Sequence, residues 1–408
     1  MPGPVKDVDL RLENYKDMSN IQTLMSLVKP EWPFDKLQFK LFNEGTSNIL
    51  FGVFLEQPLT SDNCVLVRIF GYQTELYIDR DREAIYLWIL NQLNFASKVF
   101  CKFTNGISYQ YLPGSTVNYE LLSDPKYFKM VAEKVAALHT LPIDVFAEQH
   151  FADVGFIFDT SPSVLNSALK FISLISDNLL FKVTANCAGD GITDNGSHTV
   201  FPTKEYLIEE VLFLRKLLST AKSPVRFCHN DLLFGNIVLS PEKDAIHFID
   251  FEYCGYNHVC YEIANHFCEY TGMADHDFSR YPSRELQVEW VRTYLRAFQH
   301  HSNGKSIDSP SVEAHEIEAW LDEIQNFTLA SHFYWGIWSI VQSQRSKLNF
   351  DYTKYALTRL NEYRKKKRSA FMSGCDDEAP SKTETLSTPF KCQLTLSSSL
   401  ISGYNRQS

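Results

Sequence analysis

The feature that most constrains the fold is the segment Phe227–Tyr253, in which two short apolar runs flank a polar turn. The first run is Ile237–Leu239 and the second is Ile246–Ile249. The turn between them, centred near Lys243, is made of Ser, Pro, Glu, Lys and Asp. This pattern predicts a β-hairpin. The densest group of chemically competent residues in the chain lies at its open end.

Three oxygen-bearing side chains surround that open end. If the strands pair symmetrically about Lys243, Asn236 faces Asp250, and Asp231 lies on the polar loop just upstream. The order Asp-x-x-x-x-Asn, followed by Asp after a second strand, matches the phosphoryl-transfer layout of kinases. Asn230 or Asp231 alone would also suit a simple turn cap. The complete set predicts Asp231 and Asn236 as catalytic residues, Asp231 being the base, and Asn236 and Asp250 as metal ligands.

A candidate phosphate loop lies between two strand-like runs near the N-terminus, Leu37–Phe42 and Ile49–Leu55. The backbone N–H groups of such a loop can approach a phosphate, although a plain hairpin turn uses the same residue types. The loop residues predicted to contact a nucleotide are Gly45, Ser47 and Asn48.

A third predicted strand, Cys64–Phe70, is apolar except for Arg68. In the kinase order of elements, a cation at this place neutralises nucleotide phosphates and pairs with an acid on the next helix. That helix is predicted over Asp79–Leu93, and Glu83 in its first turn is the predicted partner of Arg68. A solvated helix start would carry the same acidic residues. Arg68 and Glu83 are therefore candidate cofactor-binding residues.

Two further strands, Val99–Thr104 and Ile107–Tyr111, are predicted to be joined by the turn Asn105-Gly106. The order strand, strand, strand, helix, strand, strand is that of the small lobe of a protein-kinase-like fold. The pattern then breaks at Tyr111–Gly114. We expect a hinge there, with Tyr111 among the groups that hold the adenine ring of ATP.

The chain turns mainly helical from Asp124 onwards. The predicted fold class is therefore α+β and two-lobed, with a small antiparallel-sheet N-lobe and a larger, mainly helical C-lobe. The predicted parts are a flexible N-terminal arm at 1–18, the N-lobe and hinge at 19–114, the C-lobe with the catalytic loop and substrate pocket at 115–368, and a disordered tail at 369–408.

Charge and cysteine content limit the partners and the compartment. The formal net charge of −10 argues against nucleic acid and favours a cationic small substrate. The nine cysteines show no Cys-x-x-Cys pair, so we expect reduced thiols in a cytoplasmic protein. The most apolar helical stretch, Phe327–Val341, is too short and too interrupted to span a bilayer, so no membrane insertion is expected.

Three motifs in chain order, HNDLLFGNI, IDFEYCGYN and NHFCEY, resemble those of the choline/ethanolamine kinases. The resemblance extends over roughly residues 20–366 and so includes both lobes. It implies a two-lobed kinase-like fold and phosphorylation of a small amino alcohol by ATP with Mg²⁺. By position, Asp231 resembles the base of the family, Asn236 and Asp250 its metal ligands, and Glu252 an acid that binds a second metal or supports the first.

The resemblance also implies a pocket for a protonated amine. Aromatic ring faces and a carboxylate both attract such a cation. Core packing is the alternative interpretation of the two tryptophans in this set. With Asp231 at the hydroxyl end, the implied substrate residues are Tyr253, Glu269, Trp335, Trp338 and Tyr355.

The sequence departs from the family pattern at a few positions. Glu262 and Ala264 stand where the family usually has Asp and Gly, which questions the support of the catalytic loop. Leu233 follows the base by two residues, where choline-type members tend to carry Gln. The motif with Leu at this position favours ethanolamine as the substrate, with phosphoethanolamine and ADP as products. The alternatives are a choline kinase and a kinase that accepts both alcohols. An inactive kinase-shaped binding module is the alternative from another class.

Overall fold

A computed structural model of the protein describes residues 5–44, 48–151, 158–176, 181–182, 198–199, 202–273, 276–303, 312–346 and 349–371. Within these residues it confirms the predicted α+β class, with a sheet-based N-lobe and a larger, mainly helical C-lobe. None of the described helices is long and apolar enough to cross a membrane. Nearly all of the predicted tail lies outside the described residues.

The N-lobe is built on a six-stranded sheet with the strand order β1-β5-β6-β4-β3-β2. Its neighbouring strands are antiparallel except for β1 and β5, which are parallel. Helix α1 precedes β2 and helix α2 lies between β4 and β5, so the predicted order of elements is confirmed. The elements are β1 (Lys6–Val8), α1 (Met18–Val28), β2 (Gln38–Glu44), β3 (Asn48–Phe54), β4 (Cys64–Phe70), α2 (Arg80–Gln92), β5 (Val99–Phe103) and β6 (Gly106–Gln110).

Strand β1 (Lys6–Val8) belongs to this sheet, so the predicted flexible arm at 1–18 is wrong for residues 6–12. Lys6 in β1 pairs with Cys101 in β5. Leu12 is fully buried, and the side chain of Asn105 exchanges two hydrogen bonds with its backbone, at 3.0 and 2.8 Å. A three-residue strand with the sequence Lys-Asp-Val shows no hydrophobic alternation, which is why the sequence pattern did not reveal it.

The hairpin between β5 and β6 turns one residue earlier than predicted. Phe103 pairs with Gly106, so Thr104 and Asn105 form the two-residue loop. Gly106 lies within β6, where a Cβ atom would be 2.3 Å from the backbone oxygen of Arg68. The glycine is therefore needed for the close approach of β6 to the strand that carries Arg68.

The C-lobe helices pack around α10, whose middle is buried on all sides. Helices α6, α8 and α11 contact it directly, so residues from α8, α10 and α11 meet in the interior of the lobe. The helices are α3 (Tyr119–Ser123), α4 (Pro125–His139), α5 (Ile143–Phe151), α6 (Val164–Leu174), α7 (Lys204–Leu218), α8 (Val259–Glu269), α9 (Arg284–Asn303), α10 (Ala314–Arg345) and α11 (Tyr352–Phe371). Helix α11 thus continues into the first residues of the predicted tail.

Within the described residues, three small sheets accompany these helices. β10 pairs with β13, β11 pairs with both β12 and β7, and β8 pairs with β9. The pairing of β11 with β7 joins the segment after the hinge to the catalytic hairpin. The strands are β7 (Ser115–Thr116), β8 (Phe181–Lys182), β9 (His198–Thr199), β10 (Val225–Cys228), β11 (Ile237–Leu239), β12 (Ile246–Phe248) and β13 (Gly255–His258).

The predicted catalytic hairpin is formed by β11 and β12, but its register differs by one residue from symmetric pairing. Ile237 pairs with Phe248, and the backbone oxygen of Asn236 accepts a hydrogen bond from the N–H of Ile249 at 3.0 Å. Asn236 therefore faces Ile249, and the predicted opposition to Asp250 is wrong. Such a shift exchanges the two faces of a strand. Asp250 has left the strand, because its φ of 64° is left-handed.

Candidate active site

A buried carboxylate holds the catalytic loop that precedes Asp231. Glu262 on α8 accepts hydrogen bonds from the backbone N–H groups of His229 and Asn230, both at 2.7 Å. The Nε2 atom of His139 lies 3.1 Å from the same carboxylate. Burial opposes ionisation of Glu262, but its contacts with His139 and His229 outweigh burial and lower its pKa. The longer Glu side chain therefore supports the loop at the position where the family usually has Asp.

The structure brings together Asp231 and Asn236, the two predicted catalytic residues. The amide Nδ2 of Asn236 donates to the backbone oxygen of Asp231 at 2.8 Å and to its Oδ2 at 3.1 Å. Burial raises the pKa of the Asp231 carboxyl well above its ordinary value, and the negative charges of Glu269, Asp250 and Glu252 raise it further. A fixed carboxylate of raised basicity is suited to accept a proton from a bound hydroxyl group.

Five charged side chains meet between the lobes, and we call them the interlobe cluster. The N-lobe supplies Arg68, Arg80 and Glu83, and the C-lobe supplies Asp250 and Glu252. Arg68 forms an ion pair with Glu83, which confirms the predicted partner, and a second one with Asp250 at 2.5 Å. Arg80 lies 2.9 Å from Glu83 and 2.8 Å from Glu252. The cluster therefore joins the two lobes through shared arginines.

Sequence reasoning missed Arg80, which contacts residues of both lobes. Its guanidinium donates to Thr74 Oγ1 at 2.7 Å and lies 4.1 Å from the ring centre of Phe70. The available signal was its position three residues before Glu83 on one helix, a spacing that places two side chains together. The pairing with Glu252, 172 residues away, has no local signal.

Asp250 has the properties of a residue that could hold a metal ion. Carboxylate oxygens of Glu83, Asp250 and Glu252 all lie within 4.8 Å of one another, and Mg²⁺ prefers oxygen ligands. The Asp250 side chain is 31% exposed, the largest value in the interlobe cluster. Burial and the charge of Glu252 raise the pKa of Asp250 to about 6, although Arg68 opposes the shift. The charge of Arg68 favours the ionised form of this carboxylate, which is reachable from solvent.

Glu252 fits a metal less well than Asp250 does. Its Oε2 atom accepts hydrogen bonds from Arg80 at 2.8 Å and from Asn48 at 3.0 Å. Burial opposes ionisation of Glu252, but the charges of Arg80 and Arg68 outweigh burial and lower its pKa. The carboxylate is thus ionised but already engaged with the N-lobe. Its role as a metal ligand stays a prediction.

The predicted nucleotide residues are described only in part. Gly45 and Ser47 lie outside the described residues, and Asn48 directs its amide to the C-lobe as given above. The backbone N–H of Tyr111 donates to the backbone oxygen of Cys64 at 3.3 Å. This N–H group is engaged within the N-lobe, so the hinge would have to hold adenine through other groups.

The four aromatic residues of the predicted cation pocket lie together. Rings of Tyr253 and Trp335 are 5.4 Å apart, as are those of Trp335 and Trp338. The indole N–H of Trp338 donates to the Tyr253 hydroxyl at 2.8 Å, and the Tyr355 ring lies 6.5 Å from Trp338. Such edge-on ring pairs hold one another in place and leave ring faces for a cation.

Glu269, the predicted carboxylate of this pocket, has a buried partner that sequence reasoning missed. Arg359 on α11 donates to Glu269 Oε1 at 3.0 Å, and the two side chains are 1% and 4% exposed. The Arg359 guanidinium lies 5.7 Å from the Tyr355 ring centre. Arg359 follows Tyr355 by four residues and so lies on the same helix face, which was the available signal. The pocket therefore contains a cation of the protein itself.

The molecule has a sheet lobe and a helical lobe, with the base and its neighbouring carboxylates between them. This arrangement defines a phosphotransferase of the protein-kinase-like type. The chain belongs to the choline/ethanolamine kinase family, because residues 39–364 match the family described as Choline/ethanolamine kinase. The family resemblance predicted from the three motifs is thereby confirmed, and the expected kinase-like fold agrees with the structure.

Several curated proteins and solved structures are similar to this chain. A probable ethanolamine kinase of Nematostella vectensis is 34% identical over 374 residues, which are 91% of this chain and 99% of that protein. Ethanolamine kinase 2 of Rattus norvegicus is 33% identical over 344 residues, or 84% and 80% of the two chains. The solved structure of a Plasmodium vivax ethanolamine kinase superimposes with a TM-score of 0.67 at 28% identity and covers 87% of this chain and 91% of its own.

Proposed function

We propose that the protein transfers the γ-phosphoryl group of ATP to the hydroxyl group of ethanolamine, giving phosphoethanolamine and ADP. One observation carries this proposal. Asp231 is held by Asn236 and lies close enough to Glu269 for the charge of Glu269 to raise the pKa of Asp231. One carboxylate can receive a hydroxyl proton while the other attracts an ammonium group. Ethanolamine carries these two groups on neighbouring carbons.

Asp231 acts as the base in this reaction. It accepts the hydroxyl proton of ethanolamine as the oxygen bonds to the γ-phosphorus and the bond to the leaving ADP oxygen breaks. Burial raises the pKa of Asp231 and the nearby carboxylates raise it further, and a bound ammonium ion would offset the charge of these carboxylates and so lower the pKa of Asp231. Binding of the substrate therefore favours the ionised form of the base that the transfer needs.

The phosphate end of the reaction is assigned to the interlobe cluster. Asp250 and the amide oxygen of Asn236 would hold Mg²⁺, which supplies charge neutralisation on the phosphates when bound. Arg68, oriented by Glu83, adds a second positive charge on the N-lobe side. Glu252 holds Arg80 and Asn48 in place, so it ties the N-lobe to the hairpin that carries Asp250.

Ethanolamine is favoured over choline by the chemistry of Glu269. A primary ammonium can donate hydrogen bonds to a carboxylate, whereas a quaternary ammonium relies on charge and ring faces alone. The relatives named above carry ethanolamine kinase in their names, which supports the same substrate.

The test is a side-by-side measurement of phosphate transfer to ethanolamine and to choline at several concentrations of each. We expect kcat/KM for ethanolamine to exceed that for choline by about tenfold or more, the loss typical of one unsatisfied charged hydrogen bond. Equal values would contradict the ethanolamine assignment while leaving a kinase. Absence of both activities, with no thermal stabilisation by Mg²⁺ and ATP, would instead indicate the binding module.

A further inference from the structure

Arg359 lies beside Glu269 and Tyr355 of the predicted cation pocket, and the proposed reaction assigns no role to this guanidinium. Its side chain is fully buried, and its charge is matched by Glu269. Close packing of two helices brings it there: a Cβ atom on Gly336 of α10 would lie 2.8 Å from the side chain of Leu360 on α11. The glycine lets α11 approach the centre of the lobe and carry Arg359 with it.

The second arm of the guanidinium leads towards the catalytic loop. It donates to Ser331 Oγ at 2.9 Å, and Ser331 Oγ donates to Asn265 Oδ1 at 2.8 Å. The same amide oxygen accepts the indole N–H of Trp335 at 2.7 Å. Asn265 Nδ2 then donates to the backbone oxygen of Asn230 at 3.2 Å, in the peptide that links Asn230 to Asp231. We call Glu269, Arg359, Ser331, Asn265 and Trp335 the pocket network.

The network fixes the two features that a bound amine would need. A guanidinium presents its donors in one rigid plane, so bonding to Glu269 and Ser331 together holds the carboxylate in one rotamer. Only Oε1 of Glu269 is engaged, and the described residues place no hydrogen bond on Oε2. Burial raises the pKa of Glu269, whereas Arg359 opposes that shift and so favours the charged form that attracts an amine.

We propose that Arg359 is a positioning residue of the amino-alcohol pocket: it aims Glu269 Oε2 at the substrate ammonium and, through Ser331 and Asn265, aligns Trp335 with the peptide before Asp231. This inference rests on the proposed function, because it assigns Glu269 to the substrate amine. Arg359 is not a catalytic residue, since it acts only through other side chains. Its removal should therefore weaken substrate binding more than it slows the chemical step.

The test compares R359M and R359K with R284M, a matched control that removes the exposed ion pair of Arg284 with Glu318. Steady-state kinetics with ethanolamine and with ATP give both KM values and kcat. We expect KM for ethanolamine to rise about tenfold or more in R359M and less in R359K, which keeps the charge. KM for ATP should stay within about twofold in both variants, and R284M should match the wild type.

S331A keeps the ion pair and cuts the link to Asn265, so it remains informative if R359M does not fold. We expect a folded protein with a smaller rise in KM for ethanolamine, about threefold. A folded R359M with unchanged KM for ethanolamine, or an equal rise in both KM values, would overturn the inference. An unchanged KM in S331A would overturn the link to Trp335 and the catalytic loop. A wild-type protein without ethanolamine turnover would overturn the proposed function, and this inference with it.

Discussion

The interlobe cluster and the pocket network both surround Asp231 with buried arginine–carboxylate pairs, yet they differ in charge balance and in what they connect. The interlobe cluster sets two guanidinium groups against three carboxylates and joins two lobes. The pocket network sets one guanidinium against one carboxylate within the helical lobe. A surplus negative charge that is partly exposed can accept an additional cation directly. In the balanced, buried pair, Arg359 instead engages one oxygen of Glu269 and so orients the other oxygen of this carboxylate. Arginine thus joins two lobes in one region and orients a carboxylate in the other.

The largest effect is expected where both regions meet, at Asp231. Asp231→Asn keeps the shape of the side chain and removes its ability to take a proton. We expect kcat to fall by about 10³-fold, within the range for loss of a general base, while ATP still binds. Single-turnover kinetics and nucleotide titration measure the two properties. Asp277→Asn is the control, because that exposed carboxylate makes local contacts outside the site, capping a turn and pairing with Arg280. A variant with near wild-type kcat would remove Asp231 from the role of base.

The next effect concerns the surplus charge of the interlobe cluster. Asp250→Asn removes the exposed carboxylate and so should lower kcat about 10²-fold and raise the Mg²⁺ concentration needed for half-maximal rate. Rates measured against Mg²⁺ at fixed ATP provide the test. Asp244→Asn, at the exposed turn of the same hairpin, should behave as the wild type. If the Mg²⁺ requirement of Asp250→Asn did not change, the cation would have to bind elsewhere.

A smaller effect is expected on the pocket side. Trp338→Leu removes a ring face and the hydrogen bond to Tyr253, so KM for ethanolamine should rise about tenfold, as for loss of one desolvated cation–π contact. KM for ATP should not change. Trp88→Leu is a matched control, since that indole packs on Phe151 outside the pocket. Equal changes in the two variants would assign Trp338 to core packing, the alternative interpretation of the tryptophan pair.

The smallest effect on activity separates the two acids that the C-lobe supplies to the interlobe cluster. Glu252→Gln should reduce kcat only a few-fold and leave the Mg²⁺ requirement unchanged, because Arg80 and Asn48 already occupy this carboxylate. The loss should instead appear as about 2 kcal/mol in the free energy of unfolding, the cost of weakening buried charged hydrogen bonds. Urea unfolding and Mg²⁺ titration are the measurements. A Mg²⁺ requirement shifted as far as in Asp250→Asn would make Glu252 a metal ligand after all.

Local pattern was sufficient for strands β2 to β6, for helix α2 and for the two strands of the catalytic hairpin, because hydrophobic periodicity and turn residues act over short stretches. The strand that carries Arg68, the helix that carries Glu83 and their ion pair were all predictable in this way. The register of the hairpin could not be predicted from local pattern, since a change of one residue in the turn shifts the pairing of the two strands. Symmetric pairing placed Asn236 opposite Asp250, whereas the left-handed backbone of Asp250 determines where its carboxylate goes.

The distant partners of buried charged side chains also could not be predicted from the sequence. Arg80 and Arg359 look like ordinary helix residues, and their carboxylates lie 172 and 90 positions away in the chain. At Glu262, by contrast, the sequence raised a doubt that the structure removes. Its replacement of the usual Asp raised doubt about the catalytic loop, but the distance a side chain must span is set by helix position, and Glu262 reaches both N–H groups.

The three-residue strand β1 has a practical consequence for anyone who prepares this protein. A version shortened to begin at residue 19, the start suggested by sequence, would uncover the edge of β5 that faces β1. The backbone groups of β5 on that edge would lose their partners, while the pairing with β6 would remain. Uncovered edges of this kind recruit other strands and lead to aggregation. Purification tags are therefore better placed at the C-terminal end, and poor solubility of a trimmed protein would reflect a lost edge cover rather than a defect of the kinase fold.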